Sequence, residues 1–246
     1  MRRLSWAAGL MLVAVVAVVA QAAPALATTT WFTAGAFQVA TTQGAQGDFT
    51  IKQPFLATND FHSLISIRLL SGVGHSIEVG STVDRSLNGD AKPHLFVGRT
   101  VGFGGQCVNV CGWVQNNVSL HPGSELFVDF AYFMKMQHAQ GRWTLFVNSV
   151  AIGYFPDSVW NGAFTQTQSV EYVGEVKANG SIPCTYMGSG DYPGSPNAAS
   201  IASIGYVSGP AVNLATWEDN HSYYQVGVFN SNTVQLGGLG ACNSPI

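Results

Sequence analysis

Charge is what this sequence has least of. Only 9% of its 246 residues are Asp, Glu, Lys or Arg, with 10 basic side chains against 13 acidic ones and a formal net charge of −3. Long surface helices need charged outer faces, so a charged fraction about a third of the usual quarter argues against a helical architecture. The few basic residues form no stripe, which excludes a protein that tracks nucleic-acid phosphates. Disorder is excluded from the other side, because 47% hydrophobic and 11% aromatic residues can build a core. Beyond residue 27 no stretch of 18 apolar residues occurs, so no transmembrane helix is expected there. Neither a GxSxG elbow nor an HExxH pair is present. His62, His75, His94, His121, His138 and His221 show no ligand spacing, and the cysteines no zinc-type pattern. No metal or other cofactor is expected.

Residues 1–27 (MRRLSWAAGLMLVAVVAVVAQAAPALA) join a basic start, an apolar run and an Ala-Leu-Ala site. This predicts a cleaved secretory signal with the mature chain starting at Thr28, rather than a membrane anchor, since the run is short and has no basic stop-transfer flank. Export puts Cys107, Cys111, Cys184 and Cys242 in an oxidising compartment, where an even set pairs. Three pairings are possible. The short spacing within GFGGQCVNVCG makes a local Cys107–Cys111 bridge the simplest choice, leaving Cys184 for Cys242, and such pairing leaves no thiolate nucleophile. Asn117, Asn179 and Asn220 stand in Asn-x-Ser sequons, which matter only in a glycosylating host.

From Thr28 to about Gly47 the composition is rich in Thr, Ala, Gln and Gly with little pattern, and reads as an arm ahead of the domain. From residue 48 to 246, short alternating segments recur between Gly, Asn, Asp and Pro, the signature of a sandwich or barrel. They are HSLISIRLL (62–70), HSIEVGSTV (75–83), HLFVGRTV (94–101), GWVQNNVSL (112–120), ELFVDFAYFMKM (125–136), WTLFVNSVAIGYF (143–155) and QSVEYVGEVKA (168–178). Asn88-Gly89, Gln140-Gly141 and Asn161-Gly162 are turn formers between them. The expected fold is all-β, a large antiparallel β-sandwich, with almost no helix.

What remains for chemistry is carboxylates. Of the glutamates Glu78, Glu125, Glu171, Glu175 and Glu218, two lie mid-strand beside glycines. With Ile77, Val79, Ser81 and Val83 on the apolar face, Glu78 points the other way, next to Gly80. With Val170, Tyr172 and Val176 inward, Glu171, Val173, Glu175 and Lys177 share the opposite face, and Gly174 adjoins Glu175. Two carboxyls a few ångströms apart cannot both ionise, so one keeps a proton as general acid while the other activates water. That pair would hydrolyse without metal and work best in acid. The competing reading is of solvated glutamates, Glu175 pairing with Lys177.

Several ordered motifs resemble the neprosin family. HSIEVGSTVDRSLNGDAKPHLFV, QCVNVCGWVQ, RWTLFVNSVAIGYFPDSVW, SVEYVGEV and TYMGSGDYP stand in the order of the family's IEVGWQV with LYGD and RLF, its cysteine-flanked GFVQ, its VGYWP run, VEWGGEV and TQMGSGHFP. The resemblance covers residues 48–207 well and the tail more loosely through YYQVGVF and GGLGACN. It implies a secreted glutamic endopeptidase that cleaves after proline in acid, a β-sandwich with two catalytic glutamates acting on proline-containing peptides. Carried over by motif, these are Glu78 and Glu175, with the acid and base roles open. Glu171 is the competitor for the second role, but lies about 13 Å from Glu175 along an extended strand, so one of them is expected to reach Glu78. In the family its position can be Gln, whereas the glutamate of GGE recurs. Gln115, matching GFVQ, is a substrate-binding candidate. Ser81 replaces the family's Trp and Val173 the first Gly of GGE, which bears on the subsites around the glutamates, and Cys184 stands where the plant pattern has no cysteine. Plant members carry a long activation segment, where only the arm is expected here.

A monomer is expected, without membrane contact after signal cleavage. Two alternatives belong to other classes. Trp113, Trp143, Trp160, Trp217, Tyr223 and Tyr224 could stack on a polysaccharide in a non-catalytic sandwich, and a glycoside hydrolase also uses two carboxylates.

Overall fold

Apolar side chains at every second position decide which way each strand faces. In β3 (His62–Leu70) Ile67 and Leu69 are fully buried, in β4 (Ser76–Asp84) Ile77 and Val79, and in β11 (Ser169–Asn179) Val170, Tyr172 and Val176. Against them from the second sheet pack Met134 and Met136 of β8 (Ala131–Ala139) and Trp143, Leu145 and Val147 of β9 (Arg142–Val147). The computed structural model describes residues 28–242, and the signal segment expected over residues 1–27 lies outside them.

Two antiparallel sheets face each other across this core, a β-sandwich. The remaining strands are β1 (Thr29–Val39), β2 (Gly44–Thr50), β5 (His94–Thr100), β6 (Cys107–Val108), β7 (Val114–Gln115), β10 (Val150–Pro156), β12 (Ala199–Tyr206), β13 (Ala215–Glu218), β14 (Gln225–Phe229) and β15 (Thr233–Gly237). One sheet has seven strands in the order β13-β1-β11-β3-β4-β5-β6, the other eight in the order β14-β15-β12-β2-β8-β9-β10-β7. Under the second sheet Trp143, Trp160, Phe155 and Phe164 interlock, with Trp143–Phe164 and Trp160–Phe164 centroids 4.9 and 5.3 Å apart. Each such fully buried side chain is worth about 1.5–3 kcal/mol relative to exposure. Trp143, Trp160 and Tyr224 are therefore core residues and no stacking platform.

Helix among the described residues is limited to α1 (Arg85–Asn88) and a 3-10 turn at Asp157–Trp160. Asp84 caps α1, its carboxylate accepting from Ser86 N at 2.8 Å and Leu87 N at 3.0 Å. The expected turn formers behave as such, with left-handed φ of 86° at Gly89, 74° at Gly141 and 51° at Asn161. Both disulfides join the expected partners, Cys107–Cys111 and Cys184–Cys242.

Three expectations are corrected. Residues 28–47 are no arm: β1 pairs along its whole length with β11 and also with β13, and β2 lies between β12 and β8. Their alternation is carried by Phe32, Ala34 and Ala36, and small inward side chains leave little hydrophobic signal. Segment 143–155 is a hairpin of two strands, because Asn148 and Ser149 both take left-handed φ (48° and 67°) and turn the chain without glycine. Of the strand expected over 112–120 only Val114–Gln115 forms.

Candidate active site

The outer face of the seven-stranded sheet gathers the chemistry. Register places Arg68 of β3 between Glu171 of β11 and Glu78 of β4, while Glu175 of β11 sits opposite Leu64. All of these side chains point away from the core, as the alternation expected. What alternation does not reveal is that Arg68 gathers them. Its Nη2 donates to Glu78 Oε1 at 3.0 Å and lies 3.5 Å from Glu175 Oε2, and its Nη1 lies 3.4 Å from Glu171 Oε2. Glu78 Oε1 and Glu175 Oε2 thus share one guanidinium nitrogen and are no farther apart than those two distances added. Burial works against the Arg68 charge, but Glu78 and Glu175 outweigh it and hold the pKa above the ordinary arginine value. Glu171 joins the cluster too, through the reach of Arg68 rather than its own. Its pKa is raised, by burial first and by the nearby Glu78 charge, against the pull of Arg68.

Glu78 is nearly sealed, its side chain 1% exposed. Ser66 Oγ donates to its Oε1 at 2.6 Å, and the Gln106 amide meets its Oε2. Gln106 precedes Cys107 on the loop between β5 and β6, where the Cys107–Cys111 bridge ties the turn together. It reaches Glu78 across Gly98, the register partner of Glu78 on β5. A Cβ at Gly98 would stand 2.8 Å from Gln106 Nε2. The glycines that adjoin the two glutamates make room for the fold. The missing Cβ of Gly80 faces the Ile65 carbonyl of β3, and that of Gly174 the Met187 sulfur in the core.

Glu175 opens to solvent on its other side. His62 Nε2 lies 2.9 Å from Glu175 Oε1, and His62 Nδ1 3.7 Å from Asp84 Oδ2, an ion pair rather than a short hydrogen bond. Burial lowers the His62 pKa, yet Asp84 and Glu175 together raise it above its ordinary value. Burial would raise Asp84, but His62, Ser86 and the Leu87 amide pull it down to about 2. Beside this pair runs a groove of about 280 Å³ whose apolar wall includes Trp31, Leu64, Phe96 and Val108, with Glu175, His62 and Gln106 among its polar groups. Lys177 does not pair with Glu175: its Nζ sits 4.6 Å over the Trp31 ring and 5.0 Å over that of Phe61.

Gln115 is not brought here. It lies in β7 of the other sheet, where its amide accepts from Trp113 Nε1 and donates to the Leu120 and Ile152 carbonyls. The glutamine at the glutamates is Gln106. Ser81 also leaves the groove, facing a cavity of about 20 Å³ between the sheets with Phe49, Ile65 and Val83. Arg68, Ser66 and His62 lie outside the quoted motifs, and Gln106 and Asp84, though inside them, were not marked out there as site residues. A signal for Arg68 was nonetheless there, as an arginine at an outward position of the apolar segment 62–70. Among the described residues no cluster of His, Cys, Asp and Glu suits a metal ion.

Scytalido-glutamic peptidase with a transition-state analogue inhibitor is similar in fold, with a TM-score of 0.50 at 10% identity over 85% of this chain and 98% of that one. A second structure of that peptidase, with a peptide-based analogue, gives 0.45 at 9% identity over 86% and 100%. Carbohydrate-binding module CBM66 from Bacillus subtilis gives 0.32 at 12% identity over 62% and 74%. The neprosin family model matches residues 59–239, most of the chain, and the chain belongs to the neprosin family.

Proposed function

We propose that the protein is a secreted glutamic endopeptidase that hydrolyses peptide bonds after proline in acid, with Glu78 and Glu175 as its general acid and base. Neprosin membership and a fold shared with a glutamic peptidase support the glutamic-type endopeptidase. One observation carries the site: Glu78 and Glu175 converge on Arg68 Nη2 beside an open groove. Secretion is supported by the signal pattern in residues 1–27 and by two disulfides. No helix among the described residues is long and apolar enough to cross a membrane.

The hydrogen-bond partners of the two carboxyls support one division of the roles. Both Glu175 oxygens face groups that only donate, Arg68 and a His62 charged at both nitrogens. Arg68 reaches Glu78 as well, at 3.0 Å, so it does not separate the two carboxyls; His62 touches Glu175 alone, and the remaining partners of Glu78, Ser66 and Gln106, can each turn to accept. On that difference, and because Glu175 lines the groove, we give Glu175 the part of general base and Glu78 that of general acid. Glu175 takes a proton from water as the water oxygen bonds the scissile carbonyl carbon, Glu78 gives its proton to the leaving nitrogen as the C–N bond breaks, and a proton then returns from Glu175 to Glu78. Trp31, Leu64 and Phe96 offer flat and branched apolar surface on which a pyrrolidine ring packs.

Cleavage of a proline-containing peptide in acid, between about pH 3 and 5, is the test, the range around the ordinary carboxyl pKa of about 4. Glu78→Gln and Glu175→Gln should each lower kcat about a thousandfold or more while the far-UV spectrum and melting stay native. Full activity in either variant removes that residue from the site.

A further inference from the structure

Two of the groups around Glu175, His62 and Asp84, exceed what a two-carboxylate mechanism requires. We propose that they form a positioning pair, Asp84 holding His62 as an imidazolium whose Nε2–H grips Glu175 Oε1 and keeps that carboxylate unprotonated at the acid end of the working range. The inference rests on the peptidase reading above.

Register makes the contact unavoidable. His62 is directly opposite Asp84 on β4 and Lys177 on β11, so its imidazole lies between the two neighbouring strands on the outer face. Asp84 cannot swing away, because the first turn of α1 holds Oδ1 through two backbone N–H groups and Ser86 Oγ at 2.7 Å, leaving Oδ2 toward His62. Trp31 stands edge-on to the imidazole with centroids 5.5 Å apart, limiting its tilt.

The other charges nearby are accounted for. Lys177 is drawn onto Trp31 and Phe61, Arg85 of α1 donates to the Leu56 and Ala57 carbonyls, and Asp60 accepts from the amides of Asn179, Cys184 and Thr185. Arg68, Glu78 and Glu171 meet Glu175 from the far side. Of the groove-side cations His62 is thus the one in contact with Glu175, and Asp84 is its counter-charge. The raised His62 pKa and the Asp84 pKa of about 2 keep this pair charged throughout the acid range.

Without the imidazolium, proton uptake by Glu175 would end catalysis at a higher pH. The experiment measures kcat/KM against pH for the full-length protein and its His62→Gln, His62→Lys and Asp84→Asn variants. Asn still caps α1, so the last removes charge and keeps the helix start. In His62→Gln the acid limb is expected to rise by about one to two pH units, the size of one lost charge-assisted hydrogen bond. Asp84→Asn moves it the same way by less, and His62→Lys restores it. An NMR titration reports independently of activity: the His62 imidazole should titrate above 6.5 in the intact protein and lower in Glu175→Gln and Asp84→Asn. An unmoved acid limb with activity lowered evenly across pH, a shift of the alkaline limb alone, or a His62 that titrates at or below its ordinary value overturns the positioning role. Failure of the intact protein to cleave peptide at any pH is a separate result, which overturns the peptidase reading and the positioning role with it.

Discussion

Replacing Arg68 by Met keeps the apolar stem of the side chain and removes the guanidinium, the one charge that Glu78, Glu175 and Glu171 share. Glu78 is the critical partner, with its side chain 1% exposed and Arg68 24% exposed. Removing one member of a buried ion pair costs about 3–5 kcal/mol, because the other charge stays desolvated. The contacts to Glu175 and Glu171, at 3.5 and 3.4 Å, are longer than the one to Glu78 and add less than it does. Ser66 and Gln106 still donate to Glu78 and keep the total near the lower end. Urea unfolding at pH 7 should then show Arg68→Met less stable by about 3–5 kcal/mol with an unchanged m-value, and Tm lower by roughly 6–20 °C. At pH 3.5 protons taken up by the cluster relieve the repulsion, and the cost should shrink below about 2 kcal/mol. An equal cost at both pH values, or one under about 1 kcal/mol at pH 7, would refute the reasoning that the three carboxylates are held by one cation.

Gly98→Ala should separate stability from activity. The new methyl meets the end of the flexible Gln106 side chain and the edge of Phe96, so stability changes by less than about 1 kcal/mol, while kcat/KM falls about ten- to a hundredfold as the amide leaves Glu78. Native activity in that variant would show that Gln106 contributes nothing. Stability itself should peak in mild acid. Asp84, depressed from 3.8 to about 2, adds stability that is present above its ordinary value and lost as the pH falls toward 2, worth about 1–2 kcal/mol after allowance for solvent screening. His62, raised above 6.5, adds stability present below that value and lost as the pH rises through its folded-state value, and the raised Glu171 costs stability as the pH climbs above 4.5. The urea midpoint should accordingly be highest between about pH 4 and 6; a maximum at or above pH 7.5 would contradict these three shifts together.

Much of this was open to view in the chain. Segment 62–70 is β3 residue for residue, and the period-two pattern put Ile77 and Val79 inward and Glu78 outward as found. Residues 28–47 were misjudged because Ala34 and Ala36 fill the inward positions of β1 without strong hydrophobicity. Gln115 was singled out because its motif matched, and Gln106 was not, since its bond to Glu78 depends on a missing Cβ at Gly98, the cross-strand partner of Glu78.

Alternation is a local property of the backbone, so the sequence alone determined the all-β class, the faces of the strands and which glutamates leave the core. Cysteine spacing favoured the pairing of the two bridges among three possible ones, and the structure selects it. Which side chains meet on that outer face was decided only by tertiary structure. Pairing order brings β11, β3 and β4 side by side, and register sets Arg68 between Glu171 and Glu78 and His62 against Asp84. A shift of one residue in either pairing would leave every strand intact and scatter the cluster, since side chains of adjacent strands meet only in matched register.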